Sequence, residues 1–568
     1  MKDKIVYLKT DFENDLTDVP FSEYPRPQLK RESFLSLNGE WEICITNNKE
    51  ERYSGKILVP FPAESRISGV MLDVKKGDRL EYSRKLKLPE GFKREKVLVH
   101  FGACDQICEV FVNGAPAGEN IGGYLPFSFD ITAFLSDGEN EIKVIAIDDL
   151  DKNLPYGKQT DKRGGMWYTK ISGIWQSVWL ESVCENYIER IKITPDLKGV
   201  DIEIFGGVEE KTLVFEGNEF SFTGNKFRLD VEEPILWTPE NPKLYDFIIR
   251  SGEDEVASYF GLRTIGIEEI NGKPLITLNG KPMLFHGLLD QGYFSDGIFL
   301  PASERGFYED ISIAKECGFN MLRKHIKLEP DIFYYYCDKQ GMIVFQDMLN
   351  LGRYNFLIDT ALPTVFLKKG ISHKANEKQR KVFESTCKGI IETLYNHPSV
   401  VYYTIFNEGW GQFDAAENYK MLKSEDETRI WDTTSGWFKV KETDVESDHV
   451  YFKPVKLKPA KGKPAVLSEF GGYSCRVKEN SFNLGKNYGY KLFEDCKSLE
   501  NALIRLYEEE IIPAISNGLC ATVLTQLSDV EDETNGLLTY DRKVLKVDKA
   551  RFKELSDKLL SEFDKHKE

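Results

Sequence analysis

Two glutamates, Glu408 and Glu469, each stand just after an apolar segment of the sequence. Glu408 comes after Val400–Phe406, and Glu469 comes after Ala465–Leu467. Hydrolysis of a glycosidic bond uses such a pair, because one carboxyl group protonates the leaving oxygen while a carboxylate meets the anomeric carbon. We predict that Glu408 is the acid/base, kept protonated by burial and by a like charge, and that Glu469 is the ionised nucleophile.

The elements that must position this pair lie between residues 269 and 568, where strand and helix patterns alternate. Eight segments read as buried strands: Pro282–His286, Phe319–Arg323, Met342–Phe345, Val400–Phe406, Arg429–Thr433, Val445–Ser447, Ala465–Leu467 and Ala521–Leu524. Eight such strands favour a (β/α)8 TIM barrel, in which catalytic residues lie at the carboxyl ends of strands. An open doubly wound sheet is the alternative, but no glycine-rich phosphate-binding turn follows a strand. In the barrel, Glu408 and Glu469 end strands four and seven.

The first 268 residues show short alternating segments with almost no helical periodicity. Asn113-Gly114 and Asp137-Gly138 are strong turn signals between such segments. We predict a multidomain chain: an N-terminal jelly-roll β-sandwich over residues 1–182, an immunoglobulin-like β-sandwich over 183–268, and a catalytic barrel over 269–568.

Composition excludes several classes of protein. The net charge of −17 argues against nucleic acid as a partner, since phosphate binding needs a basic surface. No apolar run suits a signal peptide or a membrane span, and the ten cysteines are scattered singly, so we expect a cytoplasmic protein with reduced thiols and no membrane partner. None of the seven histidines has metal-ligand spacing, and we expect no metal and no cofactor.

Several motifs occur in one order along nearly the whole chain. They are Leu37-Asn-Gly-Glu-Trp41, Gly173-Ile-Trp-Gln176, Leu236-Trp-Thr-Pro-Glu-Asn-Pro-Lys-Leu-Tyr245, Tyr259-Phe-Gly-Leu-Arg263, Asn407-Glu408 and Ser468-Glu-Phe-Gly471. Together they resemble glycoside hydrolase family 2, which includes β-galactosidases, β-glucuronidases and β-mannosidases. The resemblance implies the same roles for Glu408 and Glu469 as the chemistry above.

The resemblance also implies residues that support the pair. Tyr451 corresponds to a tyrosine that bonds the nucleophile, although an ordinary core tyrosine is the alternative. Arg323 corresponds to an arginine that fixes the nucleophile's charge, and a buried arginine at a strand end needs a carboxylate partner. Asn407 is placed to bond the sugar 2-hydroxyl.

Five further residues are predicted to contact the substrate at points where the chain departs from the family or carries an aromatic ring. Asp290 replaces part of an Asn-Arg-His segment, and a loop cap is its alternative. His325 is displaced by one position from the family's histidine. Asn535 lies in Glu533-Thr-Asn-Gly536, where β-glucuronidases carry Asn-x-Lys. Trp410 and Trp437 are candidates for stacking on the sugar, with core packing as the alternative.

These observations predict a retaining exo-β-glycosidase that acts on a small-molecule or oligosaccharide β-glycoside. We expect β-galactose first and β-glucuronide second, because the acidic residues at 529 and 531–533 oppose an anionic sugar unless Lys324, Lys327 or Arg353 supplies positive charge. Residues 531–533 could instead form a solvated loop. A non-catalytic carbohydrate-binding protein is the alternative from another class. The family resemblance implies a homo-oligomer.

Overall fold

The computed structural model contains two β-sandwiches followed by a parallel barrel, and it describes residues 3–355, 359, 373–457 and 462–567. The first sandwich packs a four-stranded sheet against a six-stranded one over a core that includes Trp41, Ile45 and Phe101. The smaller sheet has the order Phe34–Ser36, Val178–Val183, Lys96–Phe101 and Phe127–Asp130. The larger has the order Glu50–Val59, Gly39–Asn47, Asp78–Lys87, Glu139–Ile147, Ile107–Val112 and Ala115–Ile121.

The second sandwich is smaller and follows directly. One sheet contains Ile188–Pro195, Gly199–Gly206 and Lys226–Asp230, and the other contains Asn218–Thr223, Glu210–Phe215, Tyr245–Ser251 and Asp254–Phe260. Along Tyr245–Ser251 buried and less buried residues alternate, as a strand with one face on a core requires. The two sandwiches therefore have the layered form expected from the sequence, and the exact boundaries after residues 182 and 268 stay predictions.

Eight parallel strands form a nearly closed barrel. They are β1 (Phe285–Asp290), β2 (Met321–Lys324), β3 (Ile343–Asp347), β4 (Val400–Asn407), β5 (Ile430–Ser435), β6 (Glu446–Val450), β7 (Ala465–Gly471) and β8 (Leu519–Thr525). Hydrogen bonds connect them in the order β5-β4-β3-β2-β1-β8-β7-β6. Nearly every residue of these strands is buried, because the barrel interior covers one face and helices cover the other. The TIM barrel predicted from the sequence is confirmed.

The first barrel strand differs from its prediction. It begins at Phe285 and not at Pro282, because Lys281–Pro282 pairs with Thr277 and Leu278 in an antiparallel hairpin. The helices over the described residues are α1 (Arg305–Glu316), α2 (Asp331–Gln340), α3 (Glu377–Leu394), α4 (Ala415–Glu425), α5 (Cys496–Leu506), α6 (Ile512–Ile515) and α7 (Lys549–Asp564). In this part of the chain, no helix combines the length and apolar character needed to cross a membrane.

The two sandwiches contact opposite ends of the barrel. From the second sandwich, Arg263 donates to the carbonyl oxygens of Pro398 and Val400, at the start of β4. From the first, Tyr168 donates to the carboxyl group of Glu533, which lies beyond the end of β8. The first sandwich therefore reaches the end of the barrel where the strands terminate, which is the end that carries catalytic residues in this fold.

Candidate active site

The carboxyl groups of Glu408 and Glu469 face each other at the carboxyl end of the barrel. An oxygen of each lies within 4.8 Å of the other and of a ring nitrogen of His449. Glu408 has a positive φ of 51°, a conformation that costs a non-glycine residue energy and is typical of functional sites. The next residue, Gly409, also has a positive φ, and a Cβ there would stand 2.0 Å from the Phe438 ring. The chain thus turns sharply after β4.

Glu469 is held by charged and neutral donors from both sides. Arg323 donates from Nη1 to Oε1 at 3.0 Å, and Tyr451 donates its hydroxyl proton to Oε2 at 2.5 Å. Burial raises the pKa of Glu469, while the charge of Arg323 and the hydrogen bond from Tyr451 oppose that rise. Arg323 is fixed in turn by Asp347, whose Oδ1 accepts from Nε at 2.9 Å. Such charge-assisted hydrogen bonds favour the ionised form of Glu469.

Glu408 is bonded by His449, a residue that the sequence analysis did not single out. His449 Nδ1 lies 2.8 Å from Oε1 of Glu408, and its Nε2 lies 3.4 Å from Nη1 of Arg323. Nε2 lies closer to the hydroxyl of Ser435, at 2.8 Å. Burial lowers the pKa of His449 to about 4, which keeps the ring neutral at pH 7. The neutral ring therefore shares a hydrogen bond with Oε1 of Glu408, and its tautomer decides which of the two is the donor.

The environment of Glu408 favours its protonated form. Burial raises its pKa to about 7, and the charges of Lys158 and Arg323 partly oppose this. Lys158 belongs to the first sandwich and not to the barrel. The acid/base candidate is therefore tuned by a side chain from another domain.

Asn407 and His325 are both connected to Arg323, which bonds Glu469. Asn407 bonds Arg323 directly, and His325 bonds Asp347, which also bonds Arg323. Asn407 Oδ1 accepts from Nη2 of Arg323 at 2.9 Å, and its amide nitrogen makes no hydrogen bond to the described residues. His325 Nδ1 lies 2.6 Å from Oδ2 of Asp347. Burial lowers the pKa of His325 to about 3, so its ring is neutral. The sequence-predicted residues at the ends of β2 and β4 are thus brought together.

The two tryptophans occupy different positions. The Trp437 ring is partly exposed and stands edge-on to His449, with ring centres 5.6 Å apart. Trp410 is buried and packs against Trp167 of the first sandwich at 4.5 Å, while its Nε1 donates to the hydroxyl of Tyr156. Trp437 is therefore beside the carboxyl pair, and Trp410 joins the barrel to the sandwich. Sugar contact by either stays a prediction.

Asp290 and Asn535 have their polar atoms engaged within the protein. Asp290 accepts from Lys324 Nζ at 2.5 Å and from the Gly292 amide at 2.8 Å. Asn535 donates to Glu533 at 2.9 Å and accepts from Gln526 at 2.8 Å. Their contact with substrate stays a prediction.

The charged residues considered for substrate charge are arranged differently from expectation. The solvated-loop alternative was wrong: the acidic residues after β8 are buried and bonded to other groups, with Asp529 on Lys546, Glu531 on Thr169, Asp532 on Arg163 and Glu533 on Tyr168. Lys324 and Lys327 are both buried in ion pairs with Glu329. Lys158, which the sequence analysis missed, also supplies positive charge that acts on Glu408.

The missed residues differ in whether the sequence carried a signal. His449 and Tyr451 are two residues apart at the end of β6, so strand alternation places both on one face. Asp347 is the last residue of β3 and meets the same strand-end test as the glutamates. The sequence around Lys158 does not mark it as a site residue, because Lys158 belongs to another domain and only the fold sets its position relative to the barrel. Glu408, His449 and Glu469 are also close enough to hold a metal ion, and the expectation of no metal stays a prediction.

Three family models match consecutive parts of the chain. The model for the sugar binding domain of glycosyl hydrolases family 2 matches residues 59–183, a second family 2 model matches residues 185–263, and the family 2 TIM barrel model matches residues 269–470. The chain belongs to glycoside hydrolase family 2. The family resemblance seen in the sequence is confirmed.

Individual relatives are distant. A β-galactosidase of Thermoanaerobacter pseudethanolicus is 26% identical over 352 residues, which is 56% of this chain and 43% of that protein. The chain spans 39–44% of the length of three curated relatives that it matches. A solved β-glucuronidase from an uncultured Clostridium has a TM-score of 0.73 and 20% identity, covering 94% of this chain and 99% of that one. A β-galacturonidase of Eisenbergiella tayi, bound to galacturonate, has a TM-score of 0.70, 18% identity and coverage of 95% and 99%.

Proposed function

We propose that the chain is a retaining exo-β-glycosidase that removes a terminal β-linked sugar by double displacement. The observation that carries this proposal is the approach of the two carboxyl groups, whose nearest oxygens lie within 4.8 Å. Inverting enzymes hold their carboxyl groups roughly 6.5–9.5 Å apart to admit a water, whereas retaining enzymes hold them roughly 5–5.5 Å apart. The short separation favours retention.

In the first step, Glu469 attacks the anomeric carbon while Glu408 gives its proton to the leaving oxygen. The bond between the anomeric carbon and the aglycone breaks, and a glycosyl ester of Glu469 forms. In the second step, Glu408, now a carboxylate, takes a proton from water as the water oxygen displaces Glu469. The sugar leaves with its original anomeric configuration, and both glutamates return to their starting states.

The electrostatics of the pair support this assignment. A general acid works best with a pKa near the working pH, and burial gives Glu408 a pKa of about 7. Arg323 and Tyr451 hold both oxygens of Glu469, as a nucleophile that must be ionised requires. The amide nitrogen of Asn407 makes no hydrogen bond to the described residues, so it can serve as a donor for the sugar 2-hydroxyl.

The covered barrel mouth supports exo action. Tyr156 of the first sandwich donates to the Gly352 carbonyl oxygen at 2.7 Å and accepts from Trp410. Tyr168 bonds Glu533 after β8. The first sandwich therefore contacts the mouth beyond β3 and beyond β8, and a mouth flanked in this way suits a chain end better than the middle of a polysaccharide.

The sugar is either a galactoside or a uronide. The sequence favours a β-galactoside, and curated relatives of similar sequence are named β-galactosidases. Two observations favour the runner-up, a β-glucuronide or related uronide. Asp529 and Asp532 are paired with Lys546 and Arg163, which offsets two of the negative charges after β8. Solved structures similar over nearly their whole length are named β-glucuronidase and β-galacturonidase.

A non-catalytic carbohydrate-binding protein is the competing proposal. It has no use for a carboxyl group with a raised pKa placed within 4.8 Å of an arginine-held carboxylate. Burying such a pair without a function costs stability, because the ionised forms repel and lose their hydration. The close pair therefore favours an enzyme.

The test is the Glu469→Ala variant, assayed on a panel of 4-nitrophenyl β-glycosides with and without sodium azide. Loss of the nucleophile should lower kcat by more than about 10³-fold. Azide, placed in the vacated space, should restore turnover and give the α-glycosyl azide, because it attacks once and inverts the anomeric carbon. The exposed Glu509→Ala variant on the π-helical segment after α5 is the matched control and should keep full activity. Hydrolysis by Glu469→Ala at the wild-type rate would contradict the proposal.

We further propose that the protein is a cytoplasmic homo-oligomer. The ten cysteines are all unpaired in the structure, which is consistent with a reducing compartment. Light scattering during size-exclusion chromatography measures the assembly state, and a single species of 65.2 kDa would exclude an oligomer.

A further inference from the structure

Lys158 is a nine-tenths buried lysine whose ammonium has no partner in the described part of the chain. It is 9% exposed, and no described carboxylate lies within 4 Å of its Nζ. Its Nζ also makes no hydrogen bond to the described residues. A lysine buried to this extent normally has its ammonium paired, so this one is left for a group that the protein itself does not supply.

The backbone around Lys158 is rigidly placed against the barrel. Its carbonyl oxygen accepts from the amide of Tyr168 at 3.1 Å. The preceding Gly157 has a positive φ, and a Cβ there would come within 2.9 Å of the carbonyl oxygen of Ile326, just beyond β2. The side chain of the next residue, Gln159, bonds Asp105 and the Ile171 amide. The lysine is therefore presented by a fixed segment and not by a loose loop.

The charge of Lys158 acts on groups at the carboxyl end of the barrel. It lowers the pKa of Glu408 after β4 and of Glu533 after β8, and it also lowers that of His325 after β2. These three residues follow three different strands around the same mouth, which Lys158 adjoins through its neighbours Gly157 and Tyr168. Glu533 is bonded to Tyr168 and Asn535 and does not close an ion pair with Lys158.

Three other cations at this end of the barrel are engaged by partners. Arg323 gives its donors to Asp347, Glu469, Asn407 and the Ser468 carbonyl oxygen. Lys324 is held by Asp290 and Glu329, and Arg163 by Asp532. A substrate that carries a negative charge can thus meet Lys158 as a buried counter-ion with no partner among the described residues.

We infer that Lys158 is a specificity-determining residue, supplied by the first sandwich, that binds a carboxylate on the sugar of the substrate. The inference rests on the proposed glycosidase function and narrows it to acidic sugars, the uronides. A lysine contributes a point charge with rotatable donors, so it selects for the acid group without fixing the configuration of each hydroxyl. Specificity then depends on a contact between two domains.

The test compares wild type with Lys158→Met, Lys158→Arg and the control Lys162→Met, an exposed lysine of the same segment. Each protein is assayed on 4-nitrophenyl β-glucuronide and β-galacturonide and on the matched glucoside and galactoside. We expect wild type to favour one of the uronides, and Lys158→Met to lower the uronide-to-neutral ratio of kcat/KM by about 10- to 100-fold. Lys158→Arg should keep part of the ratio, and Lys162→Met all of it.

A binding measurement separates this inference from the proposed function. Calorimetric titration with free glucuronate, galacturonate, glucose and galactose requires no catalysis, and thermal unfolding checks that each variant is folded. Binding of a uronate that disappears in Lys158→Met, without hydrolysis of any glycoside, would keep the inference and remove the glycosidase proposal.

The opposite result would overturn the inference while leaving the glycosidase intact. In that case the enzyme hydrolyses neutral glycosides, Lys158→Met leaves the uronide-to-neutral ratio of kcat/KM unchanged, and the protein binds uronates no better than neutral sugars. A further substrate, 4-carboxyphenyl β-galactoside, carries its carboxylate on the aglycone. If Lys158→Met impairs hydrolysis of this substrate alone, the lysine binds the aglycone and the inference is also overturned. Absence of both turnover and uronate binding would overturn it together with the proposed function.

Discussion

Nδ1 of His449 lies 2.8 Å from Oε1 of Glu408, and the same nitrogen lies 3.5 Å from Oε2 of Glu469. The Nε2 side of the ring is held by Ser435 at 2.8 Å. A neutral histidine thus fixes the orientation of the Glu408 carboxyl group beside Glu469. Because Oε1 is engaged by this bond, Oε2 of Glu408 is the oxygen left to face a leaving group.

We therefore expect His449→Phe to lower kcat/KM by about 10-fold or more, since the hydrogen bond that orients Glu408 is lost. His449→Asn keeps a side-chain amide that can hydrogen-bond near the position of Nδ1 and should recover part of the rate. The pH dependence of kcat/KM provides the second measurement, because loss of this hydrogen bond changes the pKa of Glu408 and moves the basic limb. Equal losses in both variants with an unchanged pH profile would reduce His449 to a packing role.

The pH profile should have a basic limb near pH 7. Glu408 must be protonated to act as an acid, and burial gives it a pKa of about 7, so activity is present below this pH and falls as pH rises through it. Glu408→Gln should abolish that limb and lower kcat/KM for poor leaving groups by about 10²–10⁴-fold. Dinitrophenyl glycosides, whose leaving group needs no proton, should lose much less. A basic limb that persists in Glu408→Gln would assign the titration to another group.

Tyr451→Phe isolates one hydrogen bond to the nucleophile. The Tyr451 ring stacks on Tyr490 with centres 4.0 Å apart, and phenylalanine keeps that packing. The variant loses only the hydroxyl that donates to Glu469 at 2.5 Å and meets Thr525 at 2.8 Å. We expect kcat to fall about 10- to 100-fold with a thermal midpoint close to wild type. A large drop in the midpoint with normal kcat would show that the tyrosine is structural.

Arg263 should stabilise the junction between the second sandwich and the barrel. It is fully buried and donates to the carbonyl oxygens of Pro398, Val400 and Thr428 at 3.0–3.3 Å. Arg263→Ala leaves these acceptors unpaired and a void behind, at a cost of about 3 kcal/mol in the free energy of unfolding. Arg250→Ala, which removes an exposed arginine from the same sandwich, should cost less than about 1 kcal/mol. Equal thermal midpoints for the two variants would contradict this account.

The barrel was predictable because its signals are local. Apolar segments of four to eight residues separated by helical patterns mark buried parallel strands wherever they occur. All eight strand predictions overlap the observed strands, six of them over three or more residues, and the first was shifted because Pro282 pairs in a hairpin. The strand-end test identified Glu408, which directly follows β4, and Glu469, which is the fifth residue of the longer β7 and lies near its carboxyl end.

The substrate side of the site was not predictable in that way. Asp290 and Asn535 were chosen by their places along the chain, yet their hydrogen bonds are made with Lys324 and with Gln526 and Glu533. Whether a polar side chain is free to face a pocket depends on which other groups form hydrogen bonds with it, and such groups are often far away in sequence. A local sequence pattern carries no information about these distant partners.

The sequence by itself determined the family, the order of strands and the two carboxyl groups, because apolar periodicity and strand-end chemistry are written in neighbouring residues. Only the tertiary structure decided how those groups are charged and what lies around them. The pKa of Glu408 depends on burial and on Lys158, which is 250 residues away along the chain. Electrostatic energy depends on distance through space and on exclusion of water, and both are set when the first sandwich closes over the barrel.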